Sequence, residues 1–121
     1  MKLLIVEDNS RMRDLIKSFV REFADEVYEC ADGSEVFAAY REHHPDWVLM
    51  DVEMEQMDGI TASRQLIQSH LEARVVIVTK YDDEEMRQEA HKAGARGYVL
   101  KENLSALLDV LTESEAGKTQ D

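Results

Sequence analysis

The sequence predicts a doubly wound α/β domain, a five-stranded parallel sheet covered on both faces by five helices. Two observations carry that expectation. Short, nearly continuous apolar runs alternate strictly with stretches whose apolar residues repeat at helical spacing. The runs are too apolar for a sheet with one wet face, so each strand must be buried on both sides by right-handed crossovers.

Taken in order, KLLIV (2–6) is a strand stopped by Glu7-Asp8. SRMRDLIKSFVREF follows, with Met12, Leu15, Ile16, Phe19, Val20 and Phe23 on one helical stripe and Ser10 as the expected N-cap. EVYEC (26–30) is the second strand, and Asp32-Gly33 precedes a helix carrying Val36, Phe37 and Tyr40. DWVLM (46–50) is the third strand, and Ile60, Ser63, Leu66 and Ile67 mark the third helix, with Asp58 as its N-cap. RVVIVT (74–79) is the fourth, before a helix lined by Met86, Ala90 and Ala93 that ends at Gly94. GYVL (97–100) is the fifth, and Leu104, Leu107, Leu108 and Leu111 define the last helix, with Asn103 or Ser105 near its start. ESEAGKTQD loses the periodicity.

Composition removes several function classes. A chain of 121 residues buries roughly 65% of its unfolded surface as one domain and needs no staples. A net charge of −12 opposes direct contact with nucleic acid, which requires clustered Lys and Arg. No apolar run approaches a membrane span, and MKLLIVED lacks the long apolar region of a signal peptide, so the expected location is cytoplasmic. Cys30, the single cysteine, reads as a small packed side chain. His43-His44 reads as a favourable match to a helix C-terminus rather than as metal ligands, and His70 and His91 as helix-surface residues.

In open α/β sheets, ligands bind beyond the carboxyl ends of the strands, where the strand order reverses. Strand one ends in Glu7-Asp8, strand three in Asp51, strand four in Thr79 and strand five in Lys101. In the five-stranded order 2-1-3-4-5, strands one and three are neighbours at the switch point, which brings Glu7, Asp8 and Asp51 together. Each pair of ionised carboxylates about 4 Å apart costs ~4 kcal/mol at an effective dielectric near 20. Positive charge must enter the site, from Lys101 and from a hard divalent cation, for which Mg²⁺ suits best. A carboxylate beside a cation, a lysine and a hydroxyl is equipped for phosphoryl transfer, with Asp51 attacking phosphorus and Lys101 and Thr79 holding its oxygens.

The acidic pair in LLIVEDN, the acceptor in VLMDVEMEQMDG, the hydroxyl in VVIVTK and the lysine in GYVLKE resemble the receiver domain of two-component response regulators. The resemblance spans nearly the whole chain. It implies a flavodoxin-like, CheY-like three-layer sandwich in which Asp51 accepts a phosphoryl group from a sensor histidine kinase, with Mg²⁺ required. Carried over residue by residue, Asp8 and Asp51 ligate the metal directly, Glu7 acts mainly through metal-bound water, and the Glu53 backbone carbonyl completes the protein ligands. Lys101 pairs with the phosphoryl group. Thr79 bonds a phosphoryl oxygen, and Tyr98 follows by turning inward, which alters the surface of helix four, strand five and helix five. The family is a phosphoacceptor signalling domain rather than an enzyme.

Three departures from the family pattern stand out. Glu55 replaces a usual proline and reads as a solvated loop charge. Glu102 follows Lys101 where proline is common. Lys80 stands where a small residue usually lines access to the acceptor, and with the Glu53 side chain it is expected to tune rates.

EAHKAGARGYVLKENLSALLDVL resembles receivers of the NarL/FixJ type, which usually carry a C-terminal helix-turn-helix. Residues 1–114 are accordingly expected to form the receiver and 115–121 a polar tail or the start of an interdomain linker. The output is then transcription through an attached DNA-binding domain or, for a stand-alone receiver, a protein target. The apolar arc of the last helix suggests a phosphorylation-dependent homodimer. An Asp-nucleophile phosphatase is the enzyme alternative, but no insertion supplies the cap such a pocket needs.

Overall fold

The computed structural model describes residues 1–54 and 57–112. Glu55 and residues 113–121, with the expected tail and the domain boundary at 114, lie outside them. Five parallel strands, β1 (Lys2–Val6), β2 (Glu26–Cys30), β3 (Trp47–Met50), β4 (Val75–Thr79) and β5 (Gly97–Leu100), form one sheet in the order β2-β1-β3-β4-β5. The helices are α1 (Ser10–Val20), α2 (Val36–His43), α3 (Gly59–Ser69), α4 (Glu84–Lys92) and α5, which is described over 106–112. Single 3-10 turns at Gly33–Glu35 and Lys101–Asn103 introduce α2 and α5.

The strand pleat sorts the apolar residues into two cores, as a period of two requires. Leu4, Val6, Val48, Met50, Val75 and Ile77 pack with Val36 and Tyr40 of α2, Ala62 and Leu66 of α3, and Ala90 of α4. Leu3, Ile5, Trp47, Leu49, Val76, Val78 and Val99 face the other way, onto Ile16 and Val20 of α1 and Leu107 and Leu111 of α5. Each fully buried Leu or Ile contributes roughly 2 kcal/mol of transfer free energy, which stabilises the layered arrangement.

Local chemistry sets the helix ends. Asn9, not the expected Ser10, caps α1, because its side-chain oxygen accepts from the Met12 amide at 2.9 Å and leaves Ser10 as the first helical residue. Asp58 caps α3 through the Thr61 amide, and Asp83 caps α4 through Met86, with Glu84 and Glu85 in the favourable first turn. After α4 the chain reverses at Gly94, whose φ of 102° suits a residue without Cβ. The strands at 46 and 74 begin one residue later than the apolar patterns suggest, since Asp46 and Arg74 lie just outside the ladder and bond to each other.

His70 departs from the helix-surface expectation. It ends α3 with its ring against Tyr40 at 4.7 Å, while His43 stacks on Tyr28 at 3.7 Å. Both histidines act as packing surfaces at the end of the sheet away from the acidic strand ends. Among the described residues no helix is long and apolar enough to cross a membrane.

Candidate functional site

The register of β1 against β3 pairs Val6 with Met50, so the next residues, Glu7 and Asp51, leave adjacent strands at the same height. The Asp51 amide donates to the Val6 carbonyl at 2.9 Å, and the Glu7 amide to Cys30 at 3.0 Å. Backbone bonds therefore continue past the strand ends and hold both carboxylates in place. One oxygen each from Glu7, Asp8 and Asp51 lies within 4.8 Å of the others. Glu7 and Asp51 are only 1% and 4% exposed, whereas Asp8 faces solvent.

Lys101, delivered by the end of β5, reaches under this group. Its Nζ lies 2.7 Å from Glu7 Oε1 and 3.4 Å from Asp51 Oδ1. The contact with Glu7 is close but poorly aligned for a hydrogen bond, so it acts chiefly as an ion pair. The other Glu7 oxygen accepts from the Asn9 amide at 3.1 Å, and Arg13 donates to the Glu7 carbonyl at 2.6 Å.

Burial lifts the Glu7 carboxyl above its ordinary range, and the nearby Asp51 charge adds to it against the pull of Lys101 and Asn9. Burial likewise lifts Asp51, opposed by Lys101 and by the Val52 and Glu53 amides. Burial alone would lower Lys101, but its two carboxylate partners outweigh it and hold the ammonium charged. The two carboxylates thus favour the charged lysine, while one cation does not offset the desolvation of two acids, which leaves the site short of positive charge.

These residues line a cleft of about 630 Å³ together with Asn9, Val52, Glu53, Met54, Asp58, Lys80 and Tyr81. The sequence-selected residues Glu7, Asp8, Asp51, Glu53, Lys80 and Lys101 thus meet in one place. Thr79 and Tyr98 are not in its wall. Thr79 is buried as the last residue of β4, and its hydroxyl accepts from the Tyr81 amide at 3.3 Å. Tyr98 is half-buried behind the β4–α4 loop and donates to the Tyr81 carbonyl at 2.6 Å.

Sequence reasoning missed Asn9, Arg13 and Arg87. Asn9 and Arg13 hold Glu7 from the start of α1, and the only sequence signal is their place directly after the acidic pair. Arg87 lies 4.5 Å over the Tyr98 ring and bonds Asp82 at 2.9 Å. That contact joins α4 to β5, and no spacing within either segment announces it.

Three acidic oxygens so close, two of them from buried groups left short of positive charge, are an oxygen donor set of the kind a hard divalent cation takes. Beside them stand a lysine and an open cleft, so the constellation can bind a cation and a dianionic group together.

The family model of the response regulator receiver domain matches residues 3–112. The chain is 36% identical to the chemotaxis protein CheY of Bacillus subtilis over 101 residues, covering 83% of this chain and 84% of that protein. A two-component response regulator of the LuxR family from Aurantimonas superposes with a TM-score of 0.87 at 29% identity, covering 96% of this chain and 85% of that one. A chain of the CheX–CheY–BeF₃–Mg²⁺ complex from Borrelia burgdorferi superposes with a TM-score of 0.84 at 25% identity, covering 94% and 88%. The transcriptional regulators among its relatives are matched over about half of their length. The chain belongs to the response regulator receiver domains of two-component signalling.

Proposed function

We propose that this receiver is a switch charged at Asp51 by the phosphohistidine of a sensor kinase. The observation that carries the reading is the meeting of Glu7, Asp8 and Asp51 within 4.8 Å, with Lys101 against two of them. An Asp51 carboxylate oxygen attacks phosphorus in line with the P–N bond. The new P–O bond forms as P–N breaks, and the departing imidazole nitrogen keeps the bonding pair and takes a proton. Lys101 gives up Asp51 for a phosphoryl oxygen while retaining Glu7. Asp8, Asp51 and the Glu53 carbonyl would hold Mg²⁺ directly and Glu7 through water, and the cation supplies charge neutralisation around phosphorus.

Thr79 then exchanges the Tyr81 amide for a phosphoryl oxygen and draws the β4–α4 loop inward. Tyr98, tied to that loop, moves with it and reshapes the α4-β5-α5 surface. Glu53 and Lys80 at the cleft mouth set the rates. Phosphorylation and hydrolysis are assisted by the domain's own residues, and the product is a changed surface rather than a released chemical.

The output is transcription through a DNA-binding domain following residues 115–121, with residues 1–114 as the receiver and a cytoplasmic setting. The likeness to a LuxR-family regulator supports this reading. The likeness to chemotaxis CheY supports the alternative, a stand-alone receiver that docks on a protein target. Phosphorylation-dependent dimerisation is a further part of the proposal. Leu104, Leu107 and Leu111 are spent on the core and Ala106 and Val110 pack at its rim, which leaves half-buried Leu108 for a partner.

Intact mass after incubation with acetyl phosphate and Mg²⁺ tests the reading. One adduct of about 80 Da that needs Mg²⁺ and is absent from Asp51→Asn supports it. No adduct, together with no binding of beryllofluoride, overturns it.

A further inference from the structure

The cleft contains one cation whose part in setting the rates the phosphoacceptor reading leaves without a physical means. Among the described residues its wall holds five carboxylates, from Glu7, Asp8, Asp51, Glu53 and Asp58, against two lysines. Lys101 is committed to Glu7 and Asp51 from below. Lys80 stands at the mouth, where its Nζ lies 3.7 Å from Glu53 Oε2 and 5.3 Å from the centre of its neighbour's ring, Tyr81. The pair joins the loop after β3 to the loop after β4 and so spans the opening.

This pair is weak. Both side chains are more than half exposed, at 63% and 54%, and exposed ion pairs of this length contribute about 1 kcal/mol or less. A weak tether is easily exchanged. Converting the Asp51 carboxylate to an acyl phosphate adds about one negative charge to a cleft already rich in acids. An ammonium on a four-carbon stem, rooted next to Thr79 and sharing the cleft with Asp51, is placed to answer that charge.

We propose that Lys80 is a second phosphoryl-binding residue that changes partner, held by Glu53 in the empty site and by the phosphoryl group in the charged one. Glu53 thereby acts as a competitor for the lysine, and its side chain sets how readily the loaded state forms. The inference rests on Asp51 being the acceptor. It assigns this chain's lysine an attractive part in loading, in place of simple obstruction of the entrance.

The partner exchange has a signature that a static salt bridge lacks. If Lys80 leaves Glu53 on loading, removing the Glu53 charge abolishes both a repulsion and a competing tether. Glu53→Gln then strengthens loading more when Lys80 is present than when it is absent. If the pair stays closed, Lys80 merely screens Glu53, and Glu53→Gln matters more once the lysine is gone. The two arrangements predict couplings of opposite sign.

Calorimetric titration of the full chain with beryllofluoride in saturating Mg²⁺, and separately with Mg²⁺ alone, decides between them. Lys80→Ala is expected to weaken beryllofluoride binding at least about threefold while leaving Mg²⁺ affinity unchanged or higher, since a positive charge has been removed. Lys80→Arg should stay within about twofold of the parent. Glu53→Gln, which keeps the backbone carbonyl, should strengthen beryllofluoride binding by a larger factor in the parent than in the chain carrying Lys80→Ala. An unchanged beryllofluoride affinity in Lys80→Ala, the opposite coupling, or a parallel loss of Mg²⁺ affinity overturns the partner exchange and leaves the Asp51 reading standing. A parent chain that binds Mg²⁺ but no beryllofluoride overturns both.

Discussion

The Tyr98 hydroxyl donates a 2.6 Å hydrogen bond to the Tyr81 carbonyl, fastening β5 to the loop that follows Thr79. Arg87 covers the same ring at 4.5 Å and is held by Asp82, so α4 shares the fastening. Tyr98→Phe removes the bond and strands a half-buried carbonyl, which should cost about 1 kcal/mol in urea unfolding. Arg87→Ala should cost about 0.5–1 kcal/mol. The double substitution is expected to cost less than the two together, because both act on one ring. Strict additivity would show that the two contacts are independent.

Asp51 is predicted to lower the stability of the metal-free fold. Burial is the main cause that lifts Asp51 and Glu7 above the ordinary carboxyl range. Because these folded values exceed the unfolded ones, the metal-free folded chain binds more protons than the unfolded chain in that window. The contribution of the pair to stability therefore grows as pH falls from neutral through the raised values, and levels off near ~4 where the unfolded groups titrate. Asp51→Asn should raise metal-free stability by about 1 kcal/mol at pH 7, since Lys101 keeps Glu7, and the advantage should shrink as pH falls. Urea midpoints across that range check both statements. A less stable variant would mean that the Lys101–Asp51 pair outweighs the burial cost.

Gly59 sets the position of Asp51 from the other side. A Cβ there would lie 1.8 Å from the Asp51 carbonyl oxygen and 2.7 Å from its carbon, contacts that backbone cannot relieve cheaply. Gly59→Ala is predicted to cost at least ~2 kcal/mol and to weaken Mg²⁺ binding, as the strand end is pushed from Glu7 and Asp8. Denaturant unfolding and Mg²⁺ titration measure the two effects. Alanine tolerated in both would show that α3 can move away without disturbing β3.

Cys30 is predicted to be chemically silent. It closes β2 in the core, and burial, with a smaller contribution from Glu35, pushes its thiol up to about 11. Only about one molecule in a thousand carries the thiolate at pH 8. Labelling by a disulfide reagent should therefore be slow in the folded chain and rapid in urea. Fast labelling of folded protein would show that the end of β2 opens readily.

Much of this protein was legible in order and composition. Strands such as VVIVT and WVLM are buried on both faces, so their apolar runs report the parallel sheet directly, and the residue ending each run marks the site. Given the order 2-1-3-4-5, one of the common orders of doubly wound sheets, the residues ending these runs bring Glu7, Asp8, Asp51 and Lys101 to the same edge of the sheet. Asp58 likewise shows itself as a cap, because an Asx bond to the third residue onward is a local event.

What the tertiary structure decided is what depends on contacts between segments distant in the chain. Arg87 finds Tyr98, Lys80 finds Glu53, and His70 lays its ring against Tyr40, each across a separation that carries no periodic signal. Burial, which lifts the Glu7 and Asp51 carboxyls, is likewise a property of the packed layers and not of the motif. The sequence by itself determined which acids and which lysine stand at the strand ends, because each directly follows an apolar run. Only the folded chain determined how those charges are solvated, paired and tethered, because electrostatic energy depends on distance and burial in three dimensions.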